Sequence, residues 1–332
     1  MSKLLRTIFF WLGLLSIVWM LVHFDLDLDA LLGLLKLSGL YFPLALLLWL
    51  LIYALNTCSW RQIIRTQGST RISWWRLYKF TVSGFALNYV TPGGLNGGEP
   101  YRILALRPYL GTARASSSTI LYALAHVGSH LIFWLVGAAY MACTSWGRAY
   151  LGWLVLVALV AGLLLVLFHY LMSKGVAQLF TLLLRHLPGL GKYIRRLEAK
   201  HGDTLQRIDQ EVREAYCLQR SYLLSALGLE FLARLVGCLE VLLLLMPLLG
   251  YTSFIGCYLI MAIASLMGNL LFFMPMQLGG REGGFSLALS VLNYSASYGL
   301  VLSLLVRLRE LVWIVIGVSL IQLERKSKHK KG

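Results

Sequence analysis

Thr91-Pro92-Gly93-Gly94-Leu95-Asn96-Gly97-Gly98-Glu99 sets a proline, four glycines and a carboxylate into a chain otherwise composed for lipid. An unbroken helix does not run through such a stretch, because proline removes a backbone donor and glycine destabilises helix. In hydrocarbon an unpaired backbone group is costly, so a break here needs cover from protein or water. A second stretch, Pro275-Met276-Gln277-Leu278-Gly279-Gly280-Arg281-Glu282, aligns with the first without gaps at an offset of 183 residues. Pro92 falls on Pro275, Leu95 on Leu278, Gly97 on Gly280 and Glu99 on Glu282, and Leu104-Ala105-Leu106 falls on Leu287-Ala288-Leu289. Leucine and alanine matches carry little weight in such a chain. The chain has only seven prolines, so a proline and a glutamate in one register point to an internal repeat.

Of the 332 residues 58% are apolar and 13% charged, with a mean hydropathy of +0.72. Soluble domains carry about 25% charged residues, so the composition is that of a polytopic membrane protein. The formal charge of +16 would suggest nucleic acid in a soluble chain; here its placement along the membrane segments decides, and no nucleic-acid partner is expected. Cys58, Cys143, Cys217, Cys238 and Cys257 are scattered and fit neither a metal spacing nor a disulfide framework. Lys3 and Arg6 precede an apolar run with no small-residue cleavage site after it, so the run reads as a retained first helix.

A spanning helix needs about 20 apolar residues. The candidates are Ile8–His23, Gly39–Trp60, Ser118–Cys143, Tyr150–Met172, Tyr222–Leu249, Phe254–Met274 and Leu300–Gln322. Asp25-Leu26-Asp27-Leu28-Asp29 and the leucines after it suit an interfacial helix. Arg61–Lys79, with Trp74-Trp75, has the chemistry of the headgroup layer. Ser173–Arg220 is the long polar segment and reads as amphipathic helices on the membrane surface. With the N-terminus inside, 24 basic residues fall on inside segments and two, Lys36 and Arg148, on outside ones. The positive-inside rule then places both termini in the cytoplasm.

Phe80–Thr91 is too short to span, so the first motif predicts a broken hairpin: a half-helix, the glycine-rich turn and a second half-helix from about Pro100. Three crossings separate it from the second motif, whose flanks Gly250–Ser253 and Tyr294–Gly299 carry no Lys or Arg. Two broken hairpins entering from opposite faces follow the inverted-repeat logic of transporters.

Glu99 and Glu282 are the leading candidates for chemistry. Each stands at a helix start, where amide groups and the dipole hold an anion, while a carboxylate can pair with a cation or take a proton; each can also simply cap its half-helix. Arg102 and Arg281 offer planar donor forks for phosphate, although Arg102 equally suits a positive-inside anchor. Glu230 and Arg234 share a helical face and read as a pair, as do Arg307 and Glu310, with Arg309 directed elsewhere; Glu240 has no local partner. His126 and His130 stand at i and i+4, but Val127 occupies the place where a zinc protease has its glutamate, so no metal and no cofactor are expected.

Asn88-x-x-x-Pro92 followed by Gly97-Gly98-Glu99 and Arg102 resembles the first signature of the lysylphosphatidylglycerol synthase transmembrane region family. Pro275, Gly279-Gly280 and Arg281-Glu282 resemble its second. The resemblance covers almost the whole chain and implies an inner-membrane protein that moves lipid between leaflets. Asn96-Gly97-Gly98 departs from the more usual acidic or small residue around the glycines. The chain reaches residue 332 in a lysine-rich tail, so the soluble aminoacyl-transferase part of the two-part enzymes is not expected, and lysine transfer from charged tRNA is in doubt.

The expected architecture is all-α: one membrane domain over 1–332, about seven full transmembrane helices and two broken re-entrant hairpins. The motifs occupy 91–102 and 274–285, a cytoplasmic basic loop 173–220 and a basic tail 324–332. The expected function is a flippase or transporter for a phospholipid or a polyprenyl or glycolipid headgroup, with anionic or zwitterionic headgroups as partners. The substrate-binding set is Asn88, Pro92, Gly97, Gly98, Glu99, Arg102, Pro275, Gly279, Gly280, Arg281 and Glu282. The intramembrane charges are Glu230, Arg234, Glu240, Arg307 and Glu310. Two rivals stay open: a headgroup-transfer enzyme with Glu99 or Glu282 as general base, and a non-transporting partner of a separate lipid biosynthetic enzyme docked on the basic loop.

Overall fold

Long apolar runs with few breaks become helices, because a helix satisfies its backbone groups internally where water is absent. The computed structural model describes residues 28–68, 72–90, 97–145, 147–176, 181, 191–250, 252–271 and 279–329. Among these residues there is helix and no strand. In chain order the helices are α1 (Leu28–Ser38), α2 (Tyr41–Arg65), α3 (Trp74–Val90), α4 (Gly98–Cys143) and α5 (Leu151–Lys174). They continue with α6 (Gly191–Leu218), α7 (Arg220–Leu249), α8 (Phe254–Leu270), α9 (Gly280–Val291) and α10 (Ala296–His329).

Among the described residues four stretches are long and apolar enough to cross a membrane: Tyr41–Arg65, Gly98–Cys143, Gly147–Lys174 and Arg220–Leu249. α8 is apolar but shorter, at 17 residues. α10, at 34 residues, would extend about 50 Å at 1.5 Å per residue, yet carries Arg307, Arg309 and Glu310 in its middle. The chain is an all-α, multi-pass membrane protein. The expected crossing at Ile8–His23 lies outside the described residues, as do Pro92, Pro275 and the turns of both motifs.

Two expected boundaries move. Arg61–Lys79 is not one interfacial segment: Arg61–Arg65 complete α2, and Trp74 opens α3. Nothing between Trp60 and Arg65 breaks a helix, and arginine stems can lie along apolar surface with their heads in water. The half-helix from Pro100 and the crossing at Ser118–Cys143 form one 46-residue element, α4. Pro108 and Gly111 (φ 78°, ψ 173°) joint it, since Pro108 lacks the N–H for its helical bond and glycine accepts the positive φ without strain.

The helices divide between two compact units. One takes the chain up to Leu55, Trp75–Tyr101 and the residues from Leu232 onward; the other takes Asn56–Trp74 and Arg102–Phe231. In the first unit Tyr53, Val82 and Trp313 form a buried cluster, with Leu46, Phe85 and Leu320 packed on it. Water gives no hydrophobic drive between helices in lipid, so close packing and polar contacts hold them. α3 and α10 illustrate this: Gly317 faces Ala86, and Ser83 Oγ donates to the Gly317 carbonyl at 2.9 Å. α9 packs against α8 and α10.

In the second unit Trp60 stacks on Tyr122 with centroids 5.4 Å apart, and Ser59 Oγ donates to the Ala226 carbonyl at 3.0 Å. α6 is amphipathic as expected: Ile208, Val212 and Ala215 are buried along one face while Arg207, Arg213 and Glu214 are exposed. His169 of α5 and Tyr216 of α6 share a 2.5 Å hydrogen bond. α5 itself turns Trp153, Leu159, Leu163 and Val166 outward, the surface of a helix solvated by lipid.

Candidate functional site

α7 carries Glu240 into the first unit, fully buried. Its Oε1 accepts from Arg309 Nε of α10 at 2.7 Å, and its Oε2 accepts from Trp49 Nε1 of α2 at 2.9 Å and from Arg309 Nη2 at 3.3 Å. The Arg309 guanidinium also lies 3.9 Å over the Trp49 ring centroid, which adds a cation–π attraction. Beside it Glu310 pairs with Arg281 of α9, and Arg309 Nη1 stands 3.8 Å from Glu310 Oε1. Tyr89 of α3 lies beside Arg281.

Glu282 has two roles at once. It accepts from Arg307 Nε at 2.5 Å, and it accepts from the Gly279 backbone N–H at 2.8 Å, closing the first turn of α9. Capping is therefore real, and it coexists with an ion pair. These contacts join three arginines and three glutamates from α7, α9 and α10, with their charges matched. Arg309, Arg307 and Glu310 are all under 5% exposed, whereas Arg281 and Glu282 are 17% and 19% exposed. The cluster thus grades from a closed end at Glu240 to a more accessible end at Arg281 and Glu282. Replacing buried pairs of this kind by apolar residues is often neutral or stabilising, so fold stability alone does not account for three of them together. Ionisable groups at membrane depth mark functional sites by default.

The first motif belongs to the same unit. Asn88 Oδ1 accepts from the Gly98 N–H at 2.7 Å, and its Nδ2 donates to Glu99 Oε1 at 3.1 Å. One amide side chain thus caps α4 and holds the motif carboxylate. Gly97 and Gly98 are buried, and a Cβ on Gly98 would strike the Gly84 carbonyl. Glycine is required there because α4 begins against the α3 backbone.

In the second unit Arg102 is 1% exposed. Its guanidinium lies 5.8 Å over Trp60 and 5.1 Å over Tyr122, so it is a buried cation under aromatic cover and not a surface anchor. Glu230, also 1% exposed, has partners from other helices. Asn56 Nδ2 donates to its Oε2 at 2.9 Å, and His126 Nδ1 meets the same oxygen at 2.7 Å. Arg234, a turn further along α7, is half-buried. No cluster of three metal-ligating side chains occurs among the described residues.

The pairings read from i, i+3 and i, i+4 spacing are therefore supplemented or replaced by contacts between helices. Arg307 bonds Glu282, Glu310 bonds Arg281, and Glu240 finds Arg309. Trp49, Tyr89, Asn56 and the role of His126 escaped the sequence reading. The available signal was slight: Trp49 and Asn56 stand seven apart on one face of α2, Asn56 being the first polar side chain after a long apolar run.

Long apolar helices joined by a charge-matched ion cluster define a polytopic helical membrane protein. More particularly, the chain belongs to the lysylphosphatidylglycerol synthase TM region family, whose model matches residues 8–318. That membership associates it with lipid-related processes of the membrane. No curated protein and no solved structure matches it.

Proposed function

We propose that the protein moves a lipid headgroup between leaflets by way of the ion cluster of the first unit. The observation that carries this reading is the charge-matched set of three arginines and three glutamates buried in an apolar helical chain. A polar headgroup in hydrocarbon needs partners, since each unpaired polar group there is costly. Arg281, at the more accessible end, offers a donor fork suited to a phosphate. Its present partner Glu310 also faces Arg309, so Glu310 keeps a cation when Arg281 turns to the headgroup. Glu282 and Glu99 then balance charge on the headgroup. The substrate class is a phosphate-bearing lipid with an anionic or zwitterionic headgroup.

In this reading the membrane is the inner one and both termini are cytoplasmic, an orientation that the 24-to-2 charge split supports. The two motifs are the breaks of an inverted repeat. Basic residues of Ser173–Arg220 gather anionic lipid at the inner leaflet, worth about 1 kcal/mol per Lys or Arg. Proteoliposomes with labelled lipids of several headgroup classes test the proposal. The wild type should speed leaflet exchange of at least one class, and Arg281→Gln and Glu282→Gln should each slow it at unchanged folding. Exchange unaffected by both substitutions would refute the role given to the cluster.

A further inference from the structure

We propose that Glu230 and His126 form a proton-binding site, and that proton occupancy there is coupled to the lipid movement; the coupling rests on the function proposed above, the proton site does not. The cluster of the first unit contains no histidine. This second site has one, and the two groups that meet in it both titrate.

Glu230 sits in the apolar run of α7 at 1% exposure, where a lone carboxylate charge is costly. The contact between Glu230 Oε2 and His126 Nδ1, at 2.7 Å, can be a hydrogen bond in every protonation state. An imidazolium or a neutral Nδ1–H donates to the carboxylate; a carboxylic acid donates to a bare Nδ1. The first and last states hold one proton more than the middle one, and they leave the site neutral. Binding therefore takes one proton from water and release returns it, with no other reactant. Asn56 Nδ2 donates to the carboxyl oxygen at 2.9 Å and fixes the carboxyl group while the proton count changes.

The geometry also supplies a way in. The His126 side chain is 31% exposed against 1% for Glu230, so the imidazole is the accessible end of the pair. Tyr122, His126, His130 and Trp134 recur every four residues and line one face of α4. The His126 and His130 rings lie 5.3 Å apart, and those of His130 and Trp134 5.4 Å apart. A second imidazole thus stands next along the row, and histidine is the side chain whose ordinary pKa lies nearest neutrality.

The elements that carry the pair or pack beside it hold other charged or titratable groups. From α4 come the Tyr122 phenol and, over it, the Arg102 guanidinium. From α7 comes Arg234, a turn along the helix. α5, whose Phe168 approaches Gly128, brings His169, which is bonded to Tyr216. α2 faces the pair with the neutral Asn56, and its Ser59 is bonded to Ala226.

The test has two arms. In the first, whole protein labelled with 15N-histidine is placed in lipid nanodiscs and titrated by NMR, His126 being assigned by the signal lost in His126→Gln. In Glu230→Gln the titration midpoint of His126 should fall by about one pH unit or more, because the carboxylate that favours imidazolium is gone. A midpoint moved by less than about 0.3 unit would overturn the proton site. If Glu230→Gln does not fold, Glu230→Asp, which withdraws the carboxylate by one methylene, should move the midpoint in the same direction by a smaller amount.

In the second arm, the leaflet-exchange rate in proteoliposomes is divided by the rate with an imposed pH gradient of either sign. The wild type should differ from unity by about threefold or more for one sign, and Glu230→Gln and His126→Gln should return the ratio to one. Measurable exchange in the wild type with a ratio of one overturns the coupling. Exchange of no lipid class under any gradient overturns the proposed function instead, and the histidine titration then still decides the proton site.

Discussion

Arg309→Met removes the cation that faces Glu240, a fully buried carboxylate. Glu240 would keep Trp49 Nε1 at 2.9 Å but lose both arginine contacts, at 2.7 and 3.3 Å. Glu310 would keep Arg281 and lose the second guanidinium. Breaking one side of a buried pair costs about 3–5 kcal/mol, because the remaining charge is left without compensation. Loss of the guanidinium from the Trp49 face adds roughly 0.5–2 kcal/mol. The single substitution is therefore predicted to destabilise by about 4 kcal/mol, the cation–π loss partly overlapping the pair itself. The double substitution Arg309→Met with Glu240→Leu removes both charges, and such replacements are often close to neutral, so it is predicted to lie within about 2 kcal/mol of the wild type. The assay is reversible unfolding in mixed micelles for the wild type, both single variants and the double variant, read as a cycle. A coupling energy below about 1 kcal/mol would refute the view that these residues act as one buried pair.

Gly98→Ala is predicted to destabilise by about 1–3 kcal/mol, the range for forced overpacking, because its Cβ meets the Gly84 carbonyl; thermal unfolding in detergent measures it. Burial raises the Glu211 carboxyl above its ordinary value, with Arg114 opposing and Glu214 adding to the rise. Its contribution is therefore fully present below the unfolded value of about 4.3 and lost as pH rises through the folded one. Glu211→Gln should consequently gain stability over the wild type near neutrality and match it at acid pH, as followed by unfolding at several pH values. In a background without the five cysteines, single cysteines at Ser253 and Ser297 should label from outside and those at Ser69 and Ser327 should not; labelling of Ser69 and Ser253 from one side would refute the proposed orientation.

The sequence by itself determined the class of fold. Apolar runs of sufficient length can only be helices in lipid, and that constraint is local to each run. The same holds for Glu99 and Glu282 standing in the first turn of a helix after glycine, because glycine, helix start and carboxylate are neighbours in the chain. Asn88 was also legible as part of a motif, though its two hydrogen bonds to Gly98 and Glu99 were not. Only the tertiary structure decided which charges meet. Trp49 and Glu240 are 191 positions apart, His126 and Glu230 are 104, and Arg309 and Glu240 are 69. Spacing along one helix says which residues share a face, but the partner a face meets depends on which helix packs there. In an apolar chain nearly every face could pack against nearly every other. The few polar side chains then find one another across helices, because a buried charge is far costlier alone than an apolar contact is valuable.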